Sequence, residues 1–387
     1  MFEIKTLNKI SPAGTECFEK EKYVCGDDFN NPEAIMVRSA SMHEMETGDK
    51  LLCVARAGAG VNNIPVEAMA EKGIVVFNTP GANANAVKEL VLMGLFMASR
   101  KVTEAIDWVK TIKGEGDNVG KLVEKGKAPF GGPEIMGKTL GVVGLGAIGV
   151  KVANAAVALG MKVIGYDPYI SVKAAWNIAN EVKYTANLKD VFENSDYITL
   201  HVPLTPETKG MINSTSIATM KNGVRILNFA RADLVDANDV VAAAAEGKIG
   251  CYVTDFPTAE VIGEKNCVAI PHLGASTPES EDNCAKMAAE QLKAYLENGD
   301  IINSVNFPNV TLDRTTDKRI CIIHKNLPNI IASITAVLSA DNINIDNMIN
   351  KSKGESAYSI FDVTGNVSDK VVSDIKALDN IVRVRVI

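Results

Sequence analysis

Lys138-Thr-Leu140-Gly-Val-Val-Gly144-Leu-Gly146-Ala-Ile-Gly149 joins an apolar run to three spaced glycines, and a stretch of small residues, Val150 to Leu159, follows. The run Leu140–Val143 has strand character and the small-residue stretch has helix character, so the glycines occupy a strand-to-helix turn. In such a turn the first glycine permits the tight bend and the second lets backbone approach a pyrophosphate. The third allows close packing of helix on strand. Free N–H groups and the dipole at the helix start, where Ala147 and Ile148 lie, hold the anion. The next apolar run, Lys162–Tyr166, ends at Asp167, 18 residues after Gly149. A carboxylate at that place can grip ribose hydroxyls. Spaced glycines alone are weak evidence; the flanking strand, helix and acid make this a dinucleotide-binding turn.

At 387 residues the chain has length for two or three domains. With 47% hydrophobic and 22% charged residues it reads as a soluble globular protein. The net charge of −7 and the lack of basic runs argue against nucleic-acid binding, so an anionic substrate would need local cation clusters. Seven cysteines are scattered without CxxC or Cys/His spacing, which predicts reduced thiols, a cytoplasmic setting and no metal site. Met1–Thr6 has no signal-peptide layout. The most apolar run, Leu90–Ala98, is nine residues, too short for a bilayer and suited to a buried helix.

In the first 80 residues, short apolar runs at Ala34–Arg38, Leu51–Arg56 and Gly73–Phe77 alternate with helical stretches, the pattern of a parallel sheet covered on both faces. Ligands of such sheets lie beyond the carboxyl ends of the strands. Arg38-Ser39 and Arg56-Ala-Gly58-Ala59-Gly60 occupy those ends and make a candidate anion site. A helix is expected from Ala86 to about Lys113, then a surface loop over Gly114–Gly132. The cofactor domain's strand candidates number six, with polar residues at several carboxyl ends: His201-Val202-Pro203, Asn228-Phe229-Ala230-Arg231, Asp255, and His272 with Gly274 and Ala275. Both His201 and His272 end strands, so position alone does not choose a base between them. A helix from Pro278 to about Asn298, with Cys284, Met287, Ala288, Leu292 and Leu296 on its buried side, should return the chain to the first domain. The expected division is a discontinuous substrate domain, 1–95 with 276–305, a nucleotide domain over 96–275, and a linker at 306–317. The remainder, 318–387, shows βαββαβ order, a ferredoxin-like module suited to binding or assembly. Such a module leaves strand edges and one sheet face that need cover, so two copies are expected to pair.

The segments Asn78-Thr-Pro-Gly-Ala-Asn-Ala-Asn-Ala-Val, Gly144-Leu-Gly-Ala-Ile-Gly149, Ala230-Arg231 and Pro271-His272-Leu-Gly-Ala-Ser-Thr resemble the D-2-hydroxyacid dehydrogenases over roughly residues 1–305. Val37-Arg38-Ser39, Arg56-Ala-Gly58 and a C-terminal module similar to an ACT domain narrow the resemblance to the branch acting on 3-phosphoglycerate. It implies an α/β fold in which a doubly wound Rossmann NAD domain is inserted into a flavodoxin-like substrate domain. The activity implied is NAD-dependent oxidation of 3-phospho-D-glycerate to 3-phosphohydroxypyruvate, the entry to serine synthesis. Arg231 would clamp the substrate carboxylate and polarise the C2 oxygen. His272 would exchange the C2 hydroxyl proton. Asp255 would hold the nicotinamide carboxamide, His201 would line the cofactor cleft, and Arg38, Ser39 and Arg56 would hold the phosphate. A carboxylate of the family pairs with the histidine. Glu260, five residues after Asp255, fits that role, with Glu264 as the alternative.

The C-terminal resemblance implies a homodimer or homotetramer and an amino-acid effector, serine, held by His324, Asn326 and Asn344. Where the ACT loop usually reads Asn-x-Pro-Gly, this chain has Asn326-Leu-Pro328-Asn329, and asparagine tolerates the left-handed geometry required there. Other readings are a hydroxypyruvate or 2-oxoglutarate reductase, or an NAD(H)-sensing interaction protein.

Overall fold

The computed structural model describes residues 1–387 and divides into two compact units, Met1–Asn83 with Pro278–Ile387, and Ala84–Thr277. In the first unit five parallel strands lie in the order Tyr23–Gly26, Phe2–Leu7, Ala34–Val37, Cys53–Arg56, Val75–Phe77. Every residue of the two strands Ala34–Val37 and Val75–Phe77 is buried. A parallel strand covered on both faces has no solvent side, hence the continuous apolar runs. Helix Pro278–Asn298 covers one face with Cys284, Ala288, Leu292 and Leu296, as its 3.6-residue spacing predicts, and adds Tyr295. It ends at Gly299, whose φ of +75° is a left-handed conformation that glycine adopts without strain.

The C-terminal sheet is antiparallel in the order Asn344–Lys353, Ser356–Thr364, Lys318–Lys325, Ile381–Val386, crossed by helices Ile330–Ala340 and Asp369–Lys376. Alternation along the strands sends Ile320, Ile322, Phe361 and Val363 toward those helices. The opposite face, with Cys321, Ile323, Tyr358 and Ile360, joins one core with Ile4, Phe77, Tyr295 and Leu296. The sheet face expected to need a second copy is therefore covered by the chain's own substrate-domain core. The expected linker at 306–317 is likewise anchored: Phe307 and Val310 are buried, and Ile301 bridges Val310. Apolar side chains in a polar-looking segment explain the difference, since each gains by leaving water.

Buried polar groups lock this junction. Arg319 donates Nε to Asp362 at 2.6 Å and Nη2 at 2.9 Å, and Nη1 reaches the carbonyl of Asn298 at 2.9 Å. Arg385 lies over the Tyr295 ring, 4.7 Å from its centroid, and donates to the carbonyls of Tyr295 and Leu296 at 3.1 and 3.0 Å. Two cations thus donate to carbonyls in the last turn of helix Pro278–Asn298.

The second unit holds seven parallel strands in the order Cys267–Ala269, Ile249–Thr254, Val224–Asn228, Tyr197–Leu200, Thr139–Val143, Lys162–Tyr166, Lys183–Tyr184. The two-residue edge strand Lys183–Tyr184 is too short to register as a sequence pattern and raises the count from the expected six. The helix expected over 86–113 is two, Ala84–Ser99 and Val102–Thr111. Val87, Val91 and Leu95 of the first belong to the dinucleotide-domain core, which moves the unit boundary from residue 96 to Ala84. The glycine-rich stretch expected as a surface loop contains helix Val119–Gly126 between two short 3-10 turns. No helix is long and apolar enough to cross a membrane.

Candidate active site

The glycine turn is built as its chemistry requires. Gly144 has φ +94°, and a Cβ there would lie 2.5 Å from the carbonyl oxygen of His201. A Cβ on Gly149 would lie 1.9 Å from the Gly144 oxygen, so helix Ala147–Ala158 can approach its strand only through a glycine. Beside Gly146 a Cβ would meet nothing within 4 Å. That open space at a helix N-terminus, where Ala147 and Ile148 begin the first turn, fits a pyrophosphate against backbone. Asp167 accepts from the amides of Leu145 and Tyr169, both at 2.8 Å, which fixes its carboxylate beside the turn.

The two histidines occupy unlike settings. His201 places its Nε2 2.9 Å from Oγ1 of the buried Thr199, and its Nδ1 is buried without a partner. Burial pushes its imidazole down to about 3, so it is neutral near pH 7. His272 is exposed at the chain's exit from strand Cys267–Ala269, its ring 4.6 Å from that of Phe256. Asp255, at the end of strand Ile249–Thr254, is 1% exposed, with Oδ2 accepting from Gly274 N–H at 3.1 Å and Oδ1 unpartnered. Burial raises the Asp255 carboxyl, against the lowering effect of His272 and of the Gly274 amide.

Asp255 makes no ion pair within 4.0 Å with His272, and neither does Glu260. Glu260 is exposed in the turn after Asp255. Its own backbone and the Thr258 hydroxyl hold its carboxyl below the usual range. Glu264 forms no such pair either, and contributes its backbone amide to Val261 at 3.3 Å. A short loop satisfies its own polar groups first, and Asp255 at the strand end is a carboxyl on which the His272 charge acts.

Arg231 is exposed and donates to the Ala230 carbonyl at 2.6 Å. Asn228, fully buried at its strand end, sets this turn: Nδ2 reaches the Arg231 carbonyl at 2.8 Å and Oδ1 accepts from Ala230 N–H at 3.2 Å. Sequence had shown it only as part of a polar strand end. Phe229 packs its ring into the core against Gly94 and leaves only backbone to a cofactor. Val202 lies 3.0 Å from the Cβ position of Gly144, Pro203 is exposed just beyond it, and Ala275 is half-buried in a turn.

In the other unit, Arg38 follows strand Ala34–Val37 and Arg56 ends Cys53–Arg56. The Arg56 Nε donates to the Arg38 carbonyl at 3.0 Å and its Nη1 to the Gly60 carbonyl, so the Gly58-Ala59-Gly60 turn wraps its guanidinium. Ser39 is exposed, its amide donating to Asn8 at 3.1 Å. Arg38 pairs with Glu281, a residue sequence did not single out.

Of the three effector candidates, His324 is buried. Its Nδ1 meets the Lys325 carbonyl at 2.8 Å and its Nε2 meets Ser359 Oγ at 2.9 Å, so both nitrogens are occupied internally. Asn326 donates to the Gly354 carbonyl at 3.2 Å. Asn344 is exposed beside a groove lined by Thr335, Ser339 and Asn342. Asn329 takes φ +67°, the left-handed geometry its place requires.

The family model described as D-isomer specific 2-hydroxyacid dehydrogenase, NAD binding domain, matches residues 92–274. The chain is 36% identical over 318 residues to D-3-phosphoglycerate dehydrogenase of Methanocaldococcus jannaschii, covering 80% of this chain and 58% of that one. The chain thus spans little more than half the length of that archaeal relative. It is 31% identical over 358 residues to D-3-phosphoglycerate dehydrogenase of Haemophilus influenzae, covering 89% and 83% of the two. Among solved structures, NAD+-bound 3-phosphoglycerate dehydrogenase of Entamoeba histolytica matches with a TM-score of 0.61 at 28% identity, over 79% of this chain and 98% of that one. Sequence similarity, shared fold and a dinucleotide turn built for its ligand agree: this chain belongs to the D-isomer specific 2-hydroxyacid dehydrogenase family.

Proposed function

We propose that the chain catalyses NAD-dependent oxidation of 3-phospho-D-glycerate to 3-phosphohydroxypyruvate, the first step toward serine. The observation that carries this reading is the exposed His272 whose charge acts on the buried Asp255, with His201 held neutral. The relatives' printed names supply the substrate, and Arg38 with Arg56 supplies cations for its phosphate. A bound NAD would supply the acceptor for the hydride from C2. His272 receives the C2 hydroxyl proton as the hydride departs, and the Asp255 charge stabilises the imidazolium that forms. Arg231 turns its fork from the Ala230 carbonyl to the substrate carboxylate. The unpartnered Oδ1 of Asp255 would hold the cofactor's carboxamide. Asp167 selects NAD over NADP, because its carboxylate would repel a 2′-phosphate and Pro168-Tyr169-Ile170 offers no cation.

The enzyme works as a homodimer or homotetramer in the cytoplasm, with seven free thiols. Exposed Phe96, Val102, Ile106 and Val109 on the two helices Ala84–Ser99 and Val102–Thr111 form an apolar surface suited to a second copy. A serine effector engages the Asn344 groove and not His324. A panel of 3-phospho-D-glycerate, D-glycerate and D-2-hydroxyglutarate, followed by NADH absorbance with and without serine, tests the reading. A preference for an unphosphorylated acid would overturn the substrate assignment.

A further inference from the structure

The phosphate-side arginines are not equally available. The Arg56 guanidinium is directed to backbone carbonyls of its own turn and of Arg38. That leaves Arg38 as the cation with most freedom to change partner. Its Nη2 now donates to Glu281 Oε1 at 2.6 Å, and both side chains are 40% exposed. Glu281 lies in the first turn of helix Pro278–Asn298, where the helix dipole favours an anion. The contact with Glu281 brings the Arg38 guanidinium to this helix start, and Arg56 lies next to it through its Nε bond to the Arg38 carbonyl at 3.0 Å. Neighbouring Asp282 is bound to Ser11 and faces a different partner. An anionic tail arriving at Arg38 therefore meets a carboxylate already there. It either displaces Glu281 or accepts like-charge repulsion from it.

Building on the phosphate assignment above, we propose that Glu281 is a positioning residue and built-in competitor of that subsite. It holds Arg38 between turnovers and weakens the binding of any anionic substrate tail. The chemistry it discriminates is tail charge: a phosphate must overcome it, whereas a neutral tail never meets it. Exposed ion pairs are modest in strength, so the expected change on removing the competitor is roughly threefold to tenfold.

The test compares wild type, Glu281→Gln, Arg38→Ala and the double variant, with KM and kcat for 3-phospho-D-glycerate and D-glycerate, and inorganic phosphate as competing ligand. Glu281→Gln should lower KM for the phosphorylated substrate and the phosphate inhibition constant by about threefold to tenfold, with kcat and the D-glycerate KM nearly constant. In the Arg38→Ala background the same substitution should have a clearly smaller effect, because competition for the guanidinium travels through Arg38 and only direct repulsion is left. An unchanged or raised KM in Glu281→Gln, alongside a clear penalty from Arg38→Ala, overturns the role of Glu281 alone. No penalty from Arg38→Ala for the phosphorylated substrate overturns the phosphate assignment itself.

Discussion

Arg319 and Asp362 face each other across two antiparallel strands as a bidentate pair, Nε–Oδ1 2.6 Å and Nη2–Oδ2 2.9 Å, with both side chains fully buried. The pair joins the C-terminal sheet to the end of helix Pro278–Asn298 through the Asn298 carbonyl. Removing one member leaves the other charge buried, and Arg319→Ala should cost about 3–5 kcal/mol in denaturant unfolding. Burial pushes the Asp362 carboxyl up, but the bonds from Arg319 and Thr315 outweigh it and hold it below the usual range. A depressed carboxyl binds its proton later in the folded than in the unfolded chain. Its contribution is therefore complete above about pH 4 and fades as pH falls through the lower folded value. Arg319→Ala should flatten that acid-side loss.

The histidines should separate by function and by stability. His272→Ala should lower kcat/KM by roughly 10²–10⁴-fold, while His201→Ala retains more of the activity. His201 carries the linkage instead. Its folded value of about 3 lies below the ordinary value of about 6.5. Its contribution to stability is present above the ordinary value and is lost as pH falls toward the folded one. Unfolding of His201→Asn between pH 7 and 4 should show a shallower decline than wild type. The opposite ranking in activity would reverse the roles of the two residues.

Asp255 and Glu260 make rival claims on His272. Loss of a nearby anion lowers a histidine's affinity for its proton. Asp255→Asn should therefore move the acidic limb of the kcat/KM profile to lower pH, and Glu260→Gln should leave it in place. A shift from Glu260→Gln alone would show that the turn after Asp255 closes onto the histidine during turnover.

The three glycines should fail in different ways. Gly144→Ala combines a positive φ with a 2.5 Å clash on backbone and should destabilise the fold, as should Gly149→Ala with its 1.9 Å clash. Gly146→Ala has open space around it and should keep the melting temperature near wild type while weakening NAD binding, by calorimetry, on the order of tenfold or more. Equal melting temperatures for all three variants would contradict the packing roles.

Local sequence determined a good deal of this protein. Alternation and apolar runs gave most strands, the 3.6-residue spacing gave the buried side of helix Pro278–Asn298, and the glycine turn with Asp167 gave the dinucleotide site. These features depend on neighbours a few residues away, so the chain's own order encodes them. Asn329 in left-handed geometry belongs to the same class. What tertiary structure alone decided are meetings of distant residues. Arg38 and Glu281 are 243 positions apart, and nothing in either segment names the other. The cover of the C-terminal sheet by Tyr295, Leu296 and Phe77 likewise depends on which apolar faces meet, as do the burial of His324 and the exposure of Glu260. Burial and charge pairing set which of these groups is neutral, paired or free to act, and both follow from packing that no local pattern specifies.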